Sequence, residues 1–298
     1  MVEYRPDKSK VARSFAAAAA KYDDVAILQR QTADELLDRL SLMKIAPQSI
    51  LDLGAGTGRN LSLLQKHFPQ ARLFAMDIAP DMLLQARKRY RQDLGLKRWL
   101  PGSSQKLQLL AGDAESIPLA DNSVDLVFAN LALQWCEPSV SFTEIQRVLR
   151  PDGLLLFSSL GPDTLTELRQ AWAAVDAYPH VNVFYDMHDV GDAMTFSGLA
   201  DCVLDVEPYV LTYPTPMAMM RDLKILGARN VNEGRRRGLT GKQLMRQVIA
   251  EYENFRIEGL IPASYEVVYG HGWKLQKAGQ RPAADGSVHI PLNEIQRR

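Results

Sequence analysis

The 298-residue chain balances 35 Lys and Arg against 35 Asp and Glu, so no net charge draws it toward nucleic acid or a membrane surface. Hydrophobic residues make up 46% of it, enough to bury a sizeable core, which excludes a disordered chain. Its two cysteines, Cys136 and Cys202, lie far apart and form neither a disulfide framework nor a zinc cluster.

The opening MVEYRPDKSK has no apolar leader. No apolar run approaches the roughly 20 residues of a membrane helix, so the expected location is the cytoplasm. SKVARSFAAAAAKYDDVAILQRQTADELLDRLSLM reads as two helices with a break near Lys21 to Asp24. Leu28, Thr32, Leu36 and Leu40 recur at near-helical spacing and mark the inward face of the second. From Ile50 onward, short apolar runs alternate with amphipathic helices. SILDL, ARLFAMD, KLQLLAGD, SVDLVFAN and GLLLFSSL read as strands. GRNLSLLQKHF, APDMLLQARKRYRQ and SVSFTEIQRVL read as helices between them. This alternation predicts a parallel sheet covered on both faces. LGLKRWLPGSSQ interrupts it as a surface loop. Beyond Leu160, DTLTELRQAWAAVDAY and DMHDVGDAMTFSGL are helical, CVLDVEPYVLTY is strand-like, TPMAMMRDLKILGA and TGKQLMRQVIAEYENFR are helical, and ASYEVVYGHGWKL is a final strand. The end, QKAGQRPAADGSVHIPLNEIQRR, is polar and irregular, as a loosely held tail would be.

The chemistry is concentrated at strand ends. SILDLGAGTGRNL places Gly54, Gly56 and Gly58 directly after the first strand. Such a loop lets a ligand approach the carboxyl end of the sheet closely. The spacing is one residue shorter than the dinucleotide pattern Gly-x-Gly-x-x-Gly, and no Gly-Lys-Ser/Thr follows for a phosphate loop. Asp52 precedes the loop, where its charge opposes a phosphate and suits a cationic or amine-bearing ligand. Asp77 ends the second strand, where a carboxylate takes both hydroxyls of a ribose. Asp113 follows the third, where an acid accepts from an adenine amino group. Three acids at three successive strand ends describe an adenosine pocket.

LDLGAGTGRNL, MDIAPDML, AGDAESIPLADNSVDLVFANLALQW and RVLRPDGLLLFS together resemble the class I S-adenosylmethionine-dependent methyltransferases. VARSFAAAAAKYDDVAILQRQTADELL, NLALQWC, HVNVFYDMHDVGDAM, MMRDLKILGARNVNEGRRRGLTGK and YEVVYGHGWK resemble one branch of them, the malonyl-acyl-carrier-protein O-methyltransferases that open the pimeloyl part of biotin synthesis. The resemblance implies an α/β fold: a seven-stranded Rossmann-like sheet, mostly parallel with the last strand antiparallel, plus a helical cap. It implies a cap over 1–44, a methyltransferase domain over 45–275 with a substrate-facing helical insertion about 212–260, and an irregular tail over 276–298.

The same resemblance implies S-adenosyl-L-methionine as cofactor, held by Arg30, Asp52, Gly54, Gly56, Asp77, Ile78, Met82, Asp113, Ala114, Asn130 and Leu131. The nucleophile would be the free carboxylate of a malonyl thioester, ionised at neutral pH because such groups titrate near 4. No general base and no metal are then needed, and catalysis is positioning and water exclusion. Tyr22, Gln134, Trp135, Arg221 and Lys224 are the candidate substrate contacts, the last two as counter-charges for the carboxylate. Histidines such as His180, His188 and His271 have no metal-ligand spacing and read as structural or solvated. Arg229, Arg235, Arg236, Arg237 and Lys242 form a basic stretch expected to dock an acidic acyl-carrier protein. Three other readings stay open at this level. They are a related arginine hydroxylase acting as an assembly factor, a module that binds S-adenosylmethionine without turnover, and a small-molecule methyltransferase.

Overall fold

The computed structural model describes residues 6–95, 106–232, 238 and 240–275. Each predicted apolar run becomes a strand: β1 Ser49–Leu53, β2 Arg72–Asp77, β3 Leu107–Ala111, β4 Val124–Asn130, β5 Leu149–Leu160, β6 Ala200–Tyr213 and β7 Ile261–Lys274. They form one seven-stranded sheet in the order β3-β2-β1-β4-β5-β7-β6. Neighbours from β3 to β5 pair in parallel, whereas β7 pairs antiparallel with both β5 and β6. The expected mostly parallel sheet with an antiparallel last strand is therefore present.

Period-two alternation sorts the core onto two faces. In β4, Leu126 and Phe128 join one buried cluster, and Val127 and Ala129 join the other. Both faces are covered, as a parallel sheet requires. Between the strands run α4 Arg59–His67, α5 Pro80–Leu94 and α6 Pro138–Val148. After β5 come α7 Thr166–Ala173 and α8 Met187–Ser197, and between β6 and β7 lie α9 Pro216–Ile225 and α10 Lys242–Glu253. α7 is shorter than its sequence suggests. Leu165 in the left-handed region starts it, and past Ala173 the Val175 and Asp176 amides both turn back to the Trp172 carbonyl.

The amino-terminal helices are α1 Lys8–Ala18 and α3 Ile27–Leu42, and the expected break contains a single helical turn, α2 Tyr22–Val25. The predicted inward face of α3 holds, since Leu28, Thr32, Leu36 and Leu40 are all buried. Leu36 and Leu40 join the cluster that contains Leu126 and Leu156, so α3 shares its core with the sheet. α1 and α2 then lie beside the carboxyl ends of β1, β2 and β4. Among the described residues, no helix is long and apolar enough to cross a membrane. The loop expected around residues 94–105 and the tail fall almost wholly outside the described residues.

Candidate active site

The site starts from the turn after β1. The Gly54 and Ala55 amides donate to the Met76 carbonyl at 2.8 and 2.9 Å, which folds the loop over the end of β2. A side chain at Gly54 would collide with Ala132, so glycine there serves a close protein contact. Gly56 instead faces open space at φ +52°, a conformation glycine adopts without strain. Its amide donates to Asp77 Oδ2 at 2.9 Å, and the Ala79 amide donates to Asp77 Oδ1 at 2.8 Å. Burial pushes the Asp77 carboxyl up to about 6, against the opposing pull of these two amides.

Asp52 lies deeper. It is 1% exposed, and neither carboxylate oxygen has a hydrogen-bond partner among the described residues. Burial, then the nearby charge of Asp77, pushes it up to about 8. It does not wall the cavity in front of the loop, whose lining on this side is Leu53, Gly54 and Gly56.

That cavity is bounded by α1, the glycine turn and the ends of β2 and β4. Of the residues named from sequence, Tyr22, Gly54, Gly56, Asp77, Ile78, Met82, Asp113, Ala114, Asn130, Leu131 and Trp135 line it. Arg30 does not. It donates through Nη1 to the Asp23 carbonyl at 2.8 Å and lines a smaller adjoining space that shares Tyr22, Gly54, Gly56 and Asn130 with the first. Asp113 is held rather than free, because Lys8 Nζ lies 2.9 Å from it and 2.7 Å from Glu115. The same amine lies 3.5 Å from Cys136 Sγ, and burial pushes that thiol up to about 11. Asn130 is also committed. Its Oδ1 accepts from Thr32 and Ser158 hydroxyls, each at 2.8 Å, and its Nδ2 donates to the Gln29 carbonyl at 2.9 Å. Leu131 follows at φ +48°, held by the Ser158 carbonyl and hydroxyl at 3.1 and 3.0 Å.

A second cavity adjoins the first. Phe15, Tyr22, Leu131 and Trp135 wall both. Phe15 meets the Trp135 ring edge-on at 5.5 Å, and Tyr22 at 6.5 Å. The second cavity is largely apolar, lined by residues such as Leu28, Leu160, Leu168 and Leu211. Gln134 also lines it, its amide nitrogen donating to the Leu131 carbonyl at 2.7 Å. Tyr213 and Tyr265 also line it, and burial raises both phenols above their usual range. His180 lines it too, stacked 3.5 Å from Trp172 with Nε2 2.8 Å from Asp176. Among the described residues, no lysine or arginine does.

The expected counter-charges do not line this cavity. Arg221 and Lys224 are exposed, and α9 turns Leu223, followed by Leu226, toward the second cavity. Met219, Leu223 and Leu226 share one helical face, which sends the two cations elsewhere. Arg229 and Lys242 are exposed, and Arg235, Arg236 and Arg237 lie outside the described residues. Sequence reasoning missed Lys8, Val11 and Phe15 on the wall of the first cavity. Their spacing along α1 marks a common face, but nothing local says which surface that face meets. It also missed Tyr213 and Tyr265.

A family model described as a methyltransferase domain matches residues 51–157. A malonyl-(acyl-carrier protein) O-methyltransferase of Laribacter hongkongensis is 47% identical over 281 residues, covering 94% of each chain. One from Methylovorus is 48% identical, covering 92% of this chain and 91% of its own. Among solved structures, the YcgJ protein of Bacillus subtilis superposes with a TM-score of 0.56 at 15% identity, over 83% of this chain and all of that one, which is a likeness of fold. The order of the strands, the glycine turn with its buried acids and this full-length similarity converge: the chain belongs to the malonyl-acyl-carrier-protein O-methyltransferase family of methyltransferases.

Proposed function

We propose that this protein transfers a methyl group from S-adenosylmethionine to the free carboxylate of a malonyl group carried as a thioester on acyl-carrier protein. The observation that carries this reading is the pair of adjoining cavities with a shared aromatic wall. One is acidic and glycine-edged, and the other is apolar and bounded by phenols.

The residues of the first cavity fit the cofactor. Asp52 is a buried carboxyl without a partner among the described residues, and Asp77 is a second buried acid beside it. Such a pair calls for positive charge, which a sulfonium and an α-amino group provide. Asp77 would take the ribose hydroxyls on the lone pairs its two amides leave open. Gly54 and Gly56 would face the methionine part, and Ile78 and Met82 would pack the nucleoside. Asp113 and Ala114 would flank the adenine, with Lys8 holding Asp113 in place. Asn130 would act through the backbone it steadies, because its amide is already engaged. Arg30 would meet the cofactor carboxylate only by leaving the Asp23 carbonyl. When bound, the cofactor supplies a methyl group activated by its sulfonium.

The chain's own contribution is placement. The substrate carboxylate is ionised at neutral pH and needs no base. Phe15, Tyr22, Leu131 and Trp135 keep water from the passage between the cavities. The Tyr213 and Tyr265 hydroxyls stay protonated and serve as hydrogen-bond donors to the carboxylate, in the place expected of Arg221 and Lys224. The basic stretch from Arg235 to Lys242 meets the carrier protein. The test is to incubate the protein with S-adenosylmethionine and malonyl-acyl-carrier protein and to follow the acyl group by mass spectrometry. A malonyl methyl ester with matching S-adenosylhomocysteine is expected. Oxygen added to a peptide, or cofactor bound without turnover, would overturn the reading.

A further inference from the structure

α1 presents two working faces. Lys8, Val11 and Phe15 line the first cavity. Lys10, Arg13 and Ser14 line a separate cleft, closed on its other side by Arg229, Asn230 and Val231. The cleft exists because α9 ends close to α1. Gly227, at φ +76°, lies so near the Ser14 carbonyl that a side chain there would come within 2.9 Å of it. The chain beyond the glycine therefore runs alongside α1 and brings Arg229 opposite Lys10 and Arg13.

Three cations thus meet in one cleft of a protein with no net charge. Their partners are few. Lys10 pairs with Asp7 at 2.6 Å, and Arg13 donates to the Ser9 hydroxyl at a long 3.4 Å. The Arg229 guanidinium has no hydrogen bond or ion pair among the described residues. Ser14 Oγ at the cleft is buried with no hydrogen-bond partner there either. The cleft also adjoins the apolar cavity, since Asn230 walls both and Ala228 lines the cavity just before it.

We infer that this cleft binds the phosphodiester of the prosthetic arm that carries the acyl thioester. The inference rests on the function proposed above and adds the anchoring point of its substrate. A carrier arm is a flexible, largely uncharged chain with a reactive acyl end and a phosphate at its root. The order of sites in the protein matches it: methyl site, apolar cavity, basic cleft. Arginine forks suit a phosphate because they donate two parallel hydrogen bonds, and an anion seated there relieves the repulsion between Arg13 and Arg229. Asp7 and Lys10 offset each other at 2.6 Å, so the positive charge left for the anion is that of Arg13 and Arg229.

The experiment compares three substrates at saturating S-adenosylmethionine: malonyl-carrier protein, malonyl-phosphopantetheine and malonyl-pantetheine, which lacks the phosphate. The variants are Arg13→Glu, Arg229→Glu and the pair together, each checked for unchanged cofactor affinity. The expected result is a KM raised at least about tenfold for both phosphate-bearing substrates, with kcat little changed and no such rise for malonyl-pantetheine. An equal rise on all three substrates would make the residues structural and sink the proposal. A rise on the carrier protein alone would sink it too, by placing the carrier's surface in the cleft instead of the phosphate. Calorimetry with phosphopantetheine itself separates this inference from the proposed function. Binding to the native protein that is lost in the double variant supports the cleft even if no malonyl thioester is turned over. Absent binding, or binding the double variant retains, overturns it.

Discussion

The Thr32 hydroxyl donates to Asn130 Oδ1 at 2.8 Å, joining the middle of α3 to the end of β4. Thr32 is fully buried, and the residue after Asn130 is the left-handed Leu131 on the wall of both cavities. The covering helix and the floor of the site are therefore held together at Asn130, which also donates to the Gln29 carbonyl of α3 at 2.9 Å. Thr32→Val keeps the shape and removes the donor. A buried hydrogen bond of this kind contributes about 1 kcal/mol, so Tm should fall by about 2–4 °C. Substrate KM should rise as the shared wall loosens, and calorimetric melting beside steady-state kinetics checks both.

Asp77→Ala removes the acceptor of the Gly56 and Ala79 amides and the proposed partner of the ribose. Hydrogen bonds to a charged group contribute about 1.5–3 kcal/mol, so S-adenosylmethionine affinity should fall at least about tenfold. Calorimetry on the folded variant decides it, and an unchanged affinity would remove Asp77 from the cofactor site.

Cofactor binding should release protons near neutral pH. Asp52 stands at about 8 and Asp77 at about 6, both raised above the ordinary 3.8 by burial. The folded, ligand-free protein thus holds protons that the unfolded chain releases, so its stability falls as pH rises from about 4 toward 8. A cationic ligand prefers the ionised acids, so its affinity rises over the upper part of the same range. Calorimetry in buffers of different ionisation enthalpy measures the release. Asp52→Asn should abolish the part above pH 7 and stabilise the ligand-free protein at pH 8.

Tyr265→Phe should raise KM for the malonyl substrate by roughly tenfold while leaving cofactor affinity unchanged, because it deletes only a donor to the carboxylate. Arg221→Met and Lys224→Met should leave both constants within about twofold, as expected of exposed charges. The reverse pattern would return the counter-charge to α9.

Much of the site was legible because a parallel sheet forces it to the carboxyl ends of its strands. Apolar runs followed by Gly or Asp locate those ends without any tertiary information, and so Gly54, Gly56, Asp77 and Asp113 lie together as expected. What escaped depends on how separate elements are rotated against one another. Arg221 and Lys224 sit on the helix that borders the second cavity, but on its exposed face. Lys8 and Phe15 have a recognisable helical spacing, yet only docking of α1 shows that they reach Asp113 and Trp135. Asn130 has the chain position of a ligand contact, while its amide is engaged by Thr32, Ser158 and Gln29.

The placement of β7 between β5 and β6 has a consequence for how the chain acquires activity during synthesis. Two strands made much earlier must wait, with their facing edges unpaired, for the last strand to enter between them. The half of the sheet that holds Gly56 and Asp77 can be assembled before residue 261 leaves the ribosome. Tyr265 reaches its cavity only when that insertion is complete. A chain cut before β7 would therefore keep the elements of the cofactor half yet lack a finished acyl chamber, and it would expose two sticky sheet edges to its neighbours.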